Sequence, residues 1–118
     1  MKKDMNQYLA RTFILTDEFS KRWEKLGLTD DDQLRLKLEI LNDPEIGKVI
    51  PGNGKLRKMR FAFKNRGKSG STRVCYVDFV VQETIYLITV YAKNEKDNLT
   101  QEERNTIKKM IQALEQTL

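Results

Sequence analysis

Between Ile46 and Val77 the chain carries nine basic residues and no acid: Lys48, Lys55, Arg57, Lys58, Arg60, Lys64, Arg66, Lys68 and Arg73. The other 13 lysines and arginines stand against all 17 acids. The net charge of +5 is therefore the difference between one strongly basic block and a mildly acidic remainder. Such a block seeks phosphate. A merely solvated surface is the bland alternative, but solvated surfaces usually mix both signs. The chain has no histidine, which removes the commonest acid–base side chain and the commonest metal ligand. A Ser-His-Asp triad and a histidine zinc site are excluded. Cys75 is the only cysteine, so no internal disulfide can form. In the apolar run Val74-Cys75-Tyr76-Val77 it reads as a small buried hydrophobe. Any chemistry falls to Lys, Arg, Tyr, Asp or Glu.

Those residue types suit RNA. Cleavage by the neighbouring 2′-hydroxyl needs no metal, only alignment, stabilisation of charge on the phosphorane, and proton movement. Lysine and arginine in a water-poor site do the second task. A lysine crowded by other cations has a lowered pKa and can exchange a proton. A tyrosine can stack on a base or donate a hydrogen bond. The same residues also serve plain RNA binding, and composition alone does not separate the two.

The elements that must position these groups follow from periodicity. Arg11–Leu15 ends in a short strand, and the residues before it are expected to fray. Thr16 or Asp17 caps a helix carrying Phe19, Trp23 and Leu26 on one core-facing stripe, and Gly27 stops it. Thr29 starts a second helix, with three aspartates in its first turn and Leu34, Leu38 and Leu41 as the inward stripe. Asn42-Asp43-Pro44 ends it. Residues 48–54 read as a loop. Three strands follow, Leu56–Phe63, Ser71–Val81 and Ile85–Ala92, the first two joined by the basic hairpin loop 64–70. Thr100-Gln101-Glu102-Glu103 is a capping box opening a last helix, with the stripe Ile107, Met110, Ile111, Leu114 and Leu118.

The order β-α-α-β-β-β-α predicts one α+β domain over residues 1–118, a mainly antiparallel sheet with helices packed on one face and the other face free. Alternation puts Met59, Phe61 and Phe63 toward the core, and Lys58 and Arg60 side by side on the other face. Arg73 shares a parity with Cys75 and Val77, so its face stays open. Thr89, Tyr91 and Lys93 share one face. No window holds the roughly 18 apolar residues of a membrane helix. The N-terminus has no apolar signal core, so the expected location is cytoplasmic.

Three spaced motifs are similar to one known family: Gly54-Lys55-Leu56-Arg57-Lys58-Met59-Arg60-Phe61-Ala62, then Gly67-Lys68-Ser69-Gly70-Ser71-Thr72-Arg73-Val74, then Tyr91-Ala92-Lys93-Asn94-Glu95 followed by Asp97-Asn98-Leu99-Thr100. Together they resemble the RelE/HigB toxins of type II toxin–antitoxin systems, most of all the HigB-like branch related to Gp49-type proteins. The resemblance implies a ribosome-dependent endoribonuclease that cuts mRNA in the A site by metal-free 2′-hydroxyl attack, with no cofactor, neutralised by a HigA-like antitoxin. By position it makes Lys58 and Arg60 the paired cations of the central strand, and Arg73 the ligand of the scissile phosphate. Lys93, or Asn94 if the register slips, is the basic residue after the last strand. Tyr91 stacks or assists proton transfer. Arg57, Lys64, Arg66 and Lys68 are RNA contacts. The terminal helix lacks the late tyrosine of some relatives. Three rival readings remain: a ParE-like DNA gyrase poison, whose family shares the scaffold but lacks the basic catalytic cluster that is dense here; a non-catalytic nucleic-acid-binding module on the same basic face; and a folded but inactive toxin.

Overall fold

The computed structural model describes residues 11–62 and 72–118. Eight elements run β1 (Thr12–Leu15), α1 (Asp17–Lys25), α2 (Asp30–Asn42), β2 (Lys48–Val49), β3 (Arg57–Phe61), β4 (Thr72–Phe79), β5 (Thr84–Ala92) and α3 (Gln101–Thr117). They form a five-stranded sheet in the order β1-β5-β4-β3-β2. Only β1 with β5 is parallel; the remaining pairs are antiparallel. The α+β class and the mainly antiparallel sheet are as expected. The segment 48–54 is not all loop, because Lys48 and Val49 pair with Lys58 and Arg57.

Each helix starts where a threonine oxygen accepts an otherwise unpaired N–H. The Phe19 N–H donates to Thr16 Oγ1 at 3.1 Å. Thr29 with Asp32, and Thr100 with Glu103, make complete capping boxes. Gly27, at φ 74°, ends α1 in the left-handed region that glycine enters without cost.

The core divides by strand parity. Phe19 and Trp23 of α1 and Leu36 and Ile40 of α2 pack on Met59, Phe61, Val74, Tyr76 and Leu87. Alternate residues of the same strands, Cys75, Val77 and Phe79, pack with Ile107 and Ile111 of α3. The face expected to be free is thus covered along part of its length by α3, and only its other end stays open.

The inward stripe of α2 also differs from expectation. Leu34 and Leu38 are more than half exposed, while Leu36 and Ile40 are fully buried. The helix is apolar on two sides, so spacing alone suits either stripe. The capping box decides, because buried Asp32 shares a face with Leu36 and Ile40. In α1 the expectation stands, since Phe19 and Trp23 are buried and stack at 5.5 Å.

Candidate phosphate-binding groove

Strand register gathers the basic residues. On one face of the sheet a row runs Tyr91–Arg73–Arg60 across β5, β4 and β3. Beside it runs Thr89–Cys75–Lys58–Lys48 across β5 to β2. This settles the open parity of Arg73, which lies on the same face as Lys58 and Arg60. Like charges directly opposite on neighbouring strands are destabilising. The sheet holds two such pairs, Arg60 with Arg73 and Lys48 with Lys58.

Where α3 stops covering this face, a groove of about 760 Å³ opens. Lys48, Lys58, Arg60, Arg73 and Lys93 line it, with Asp97 as its one carboxylate. None of the five cations has an ion-pair partner among the described residues. Arg73 is only 8% exposed, and its Nη1 is buried with no hydrogen-bond partner among the described residues. A buried guanidinium N–H left in that state costs free energy unless an acceptor meets it.

The surroundings fix these side chains. The Tyr76 hydroxyl donates to the Pro44 carbonyl at 2.8 Å and accepts the Gly47 N–H at 2.9 Å. That clamp holds the turn which delivers Lys48. Gly47 is required there, since a Cβ would lie 2.8 Å from Tyr76 Cε1. Lys58 Nζ donates to Asn98 Oδ1 at 2.8 Å. Asn98 directly precedes buried Leu99 and stands two residues before Thr100, the N-cap of α3. Asp97, Asn98 and Lys48 were not singled out in the sequence reading as site residues. Asp97 and Asn98 lie in the third motif, and Lys48 in the basic block.

Two expected residues stand elsewhere. Arg57 has the opposite parity and points away from the groove. Its Nη1 donates to the Gly47 carbonyl at 2.7 Å, and its Nη2 lies 4.0 Å from Glu45. Tyr91 is on the groove's face but fully buried. Its ring packs in the α3 core beneath Lys96, whose Nζ is 5.0 Å from the ring centroid. It presents no face for a base to stack on, which corrects that expectation. Burial pushes its hydroxyl well above the usual phenol range, and that hydroxyl has no hydrogen-bond partner among the described residues. Lys93 lines the groove, whereas Asn94 does not. Lys64, Arg66 and Lys68, like Phe63, lie outside the described residues. Burial pushes the Cys75 thiol up to about 12 despite nearby Lys58 and Lys96, so it stays a thiol and a packing group, as its setting predicted.

The model of the RelE toxin of the RelE/RelB toxin–antitoxin system matches residues 11–117. Solved structures agree. A chain of the intact E. coli RelBE toxin–antitoxin complex is 26% identical, with a TM-score of 0.51, over 68% of this chain and 93% of that one. A mutant E. coli RelE in complex with an antitoxin RelBc peptide is 27% identical, with a TM-score of 0.51, over 69% and 81%. The isolated E. coli RelE toxin is 23% identical, with a TM-score of 0.51, over 85% and 98%, a likeness of fold. Among the described residues no helix is long and apolar enough to cross a membrane. With a family match spanning nearly the whole chain, and a RelE-like sheet carrying an unneutralised basic groove, this chain belongs to the RelE toxin family of type II toxin–antitoxin systems.

Proposed function

We propose that the chain is a ribosome-dependent endoribonuclease that cuts mRNA in the A site and so inhibits translation. The observation that carries this reading is Arg73, nearly buried, with an Nη1 that has no partner among the described residues, in a groove whose other cations have no carboxylate partner among those residues either. A scissile phosphate supplies the acceptor that this N–H lacks. Arg73 then binds the phosphate, and Arg60, opposite it in register, stabilises the charge that grows on the phosphorane. Lys58, held by Asn98, is the nearest candidate for proton transfer to or from an RNA oxygen. Asp97 is the one carboxylate lining the groove among the described residues, and it is the candidate to accept a proton from the attacking 2′-hydroxyl. Five cations and one carboxylate repel a divalent ion, so the residues fit a metal-free route. Lys93, with the basic residues Lys64, Arg66 and Lys68 of the sequence between β3 and β4, extends the RNA contact.

A cognate antitoxin, HigA-like if the HigB-like resemblance holds, is the partner. Ribosome and mRNA are the target, and the cytoplasm is where all three meet. The test is translation of a defined mRNA on purified ribosomes, with RNA ends mapped by primer extension. New ends within A-site codons, dependent on both ribosome and protein, are expected. Intact mRNA with translation proceeding normally sinks the reading and turns attention to a gyrase poison or a binding module.

A further inference from the structure

A second hollow of about 510 Å³ adjoins the groove and shares three of its walls, Lys48, Lys58 and Asn98. The Lys58–Asn98 hydrogen bond is the sill between them. Beyond it the lining changes character. Val49, Ile50, Pro51 and Leu99 are apolar, Arg104 is cationic, and no carboxylate lines it. The first groove is lined mostly by charged side chains, with Ile46 and Met59 its apolar members, and suits a phosphate. The second joins cations to apolar walls, as a nucleotide requires, with a phosphate at one end and a flat, weakly polar base at the other.

We propose that this second hollow is a subsite for a nucleotide flanking the cleaved one, with Ile50, Pro51 and Leu99 against its base and Lys48 and Arg104 toward its phosphate. The inference rests on the reading of the first groove as an RNA site. The subsite is built in advance. Asn53 is 3% exposed; its amide donates to the Arg104 carbonyl at 2.7 Å, and its Oδ1 accepts from Arg104 Nε at 3.2 Å. Arg104 Nη2 donates to the Pro51 carbonyl at 2.7 Å. Gly52 and Gly54, at φ 82° and 64°, let the turn fold back to make these bonds. Arg104, on α3, is thus tied to the 50–54 turn, yet it has no carboxylate partner among the described residues. Lys48 and Lys58 belong to both hollows, which makes the track continuous and fits consecutive phosphates of one strand.

The test is an NMR titration of the whole chain with uncleavable 2′-O-methyl uridylates of one, two and three nucleotides. In the native protein, affinity should rise about tenfold when a flanking nucleotide is added, as a new phosphate contact implies. Backbone shifts at Ile50, Asn98 and Arg104 should grow with that step. Pro51→Glu places a negative charge on the rim of the second hollow only. It should remove the gain and leave mononucleotide affinity unchanged, and Arg104→Gln should reduce the gain. No gain in the native protein, an undiminished gain in both variants, or an equal loss for one and two nucleotides overturns the proposal. Should Pro51→Glu melt early, Arg104→Gln and the shift map decide. Ribosome-dependent cleavage without a length gain removes the subsite and keeps the nuclease. A length gain without cleavage keeps the subsite and removes the nuclease.

Discussion

The molecule has two hollows of nearly equal size at different places on its surface. One, of about 760 Å³, is the basic groove. The other, of about 740 Å³, is lined by Arg11, Lys55 and Arg57 together with Asp43, Glu45 and Asp78. In the second every cation has a carboxylate: Arg11 with Asp78 at 3.1 Å, Arg57 with Glu45 at 4.0 Å and Lys55 with Glu115 at 3.5 Å. In the first the five cations face one carboxylate, Asp97. Size does not distinguish them, and neither does the presence of arginine. The difference is whether the fold spends its acids there. A paired arginine braces the structure, whereas an unpaired and partly desolvated one holds its interaction in reserve for an anion.

The largest break of this contrast is Arg73→Ala. Loss of a positioned donor to a charged transition state costs about 10²–10³-fold in rate. Cleavage on programmed ribosomes and growth inhibition should therefore both collapse. Antitoxin binding and the thermal melt should persist. Full toxicity in that variant would remove the phosphate-binding role.

The matching change in the other hollow is Arg57→Ala. It removes the 2.7 Å bond to the Gly47 carbonyl, a charged hydrogen bond worth about 1.5–3 kcal/mol when lost. Stability should fall by about that amount in a urea melt, and cleavage by the folded fraction should not change. A variant that melts normally but cuts poorly would return Arg57 to the RNA contacts.

Tyr91 separates the two roles a groove residue can have. Its hydroxyl is buried without a hydrogen-bond partner among the described residues, so Tyr91→Phe should raise stability, by about 1 kcal/mol. Cleavage should stay within about threefold of the native rate. A tenfold loss with a normal melt would place the hydroxyl in the chemistry after all.

These residues also show what could be read from sequence. The basic block and the three motifs contain the charged residues that line the groove, because charge and spacing are properties of the chain itself. Strand parity placed Lys58 and Arg60 correctly by the same logic. Arg57 was misassigned because it was grouped with its basic neighbours, although the alternation that places Lys58 and Arg60 sends it, with Met59, to the other face. Tyr91 was lost because its burial is made by α3, which begins ten residues later. The stripe of α2 was ambiguous, since Leu34 and Leu38 repeat at the same spacing as Leu36 and Ile40, and only the buried Asp32 cap breaks the tie. Asn98 carries no charge and no periodicity, so only its hydrogen bond to Lys58 reveals it.

A smaller effect concerns the ion pair between Lys96 and Glu103 in the first turn of α3. Burial raises the Glu103 carboxyl, but hydrogen bonds from Lys96 and the Thr100 N–H, with the Lys96 charge, outweigh it and leave its pKa lowered. A carboxyl depressed in the folded state contributes stability that is complete above the ordinary glutamate range. That contribution drains away as pH falls through this range toward the folded value. Melting temperature should therefore decline on acidification less steeply in Glu103→Gln than in the native chain. Equal acid slopes would mean that other carboxylates dominate.

The smallest expected effect tests the contrast most directly. Arg60 and Arg73 face each other across β3 and β4, an arrangement that costs stability wherever no anion bridges it. Arg60→Gln keeps a polar side chain at an exposed position and removes the repulsion. It should stabilise the protein by about 0.5 kcal/mol, raising the melting temperature by roughly 2 °C, while cleavage falls sharply. Arg11→Gln, in the paired hollow, should give the opposite pattern, lower stability from the broken bridge to Asp78 with cleavage unchanged. If Arg60→Gln instead lowers the melting temperature, the arginine is a brace like Arg57, and the distinction between the two hollows fails at its most sensitive point.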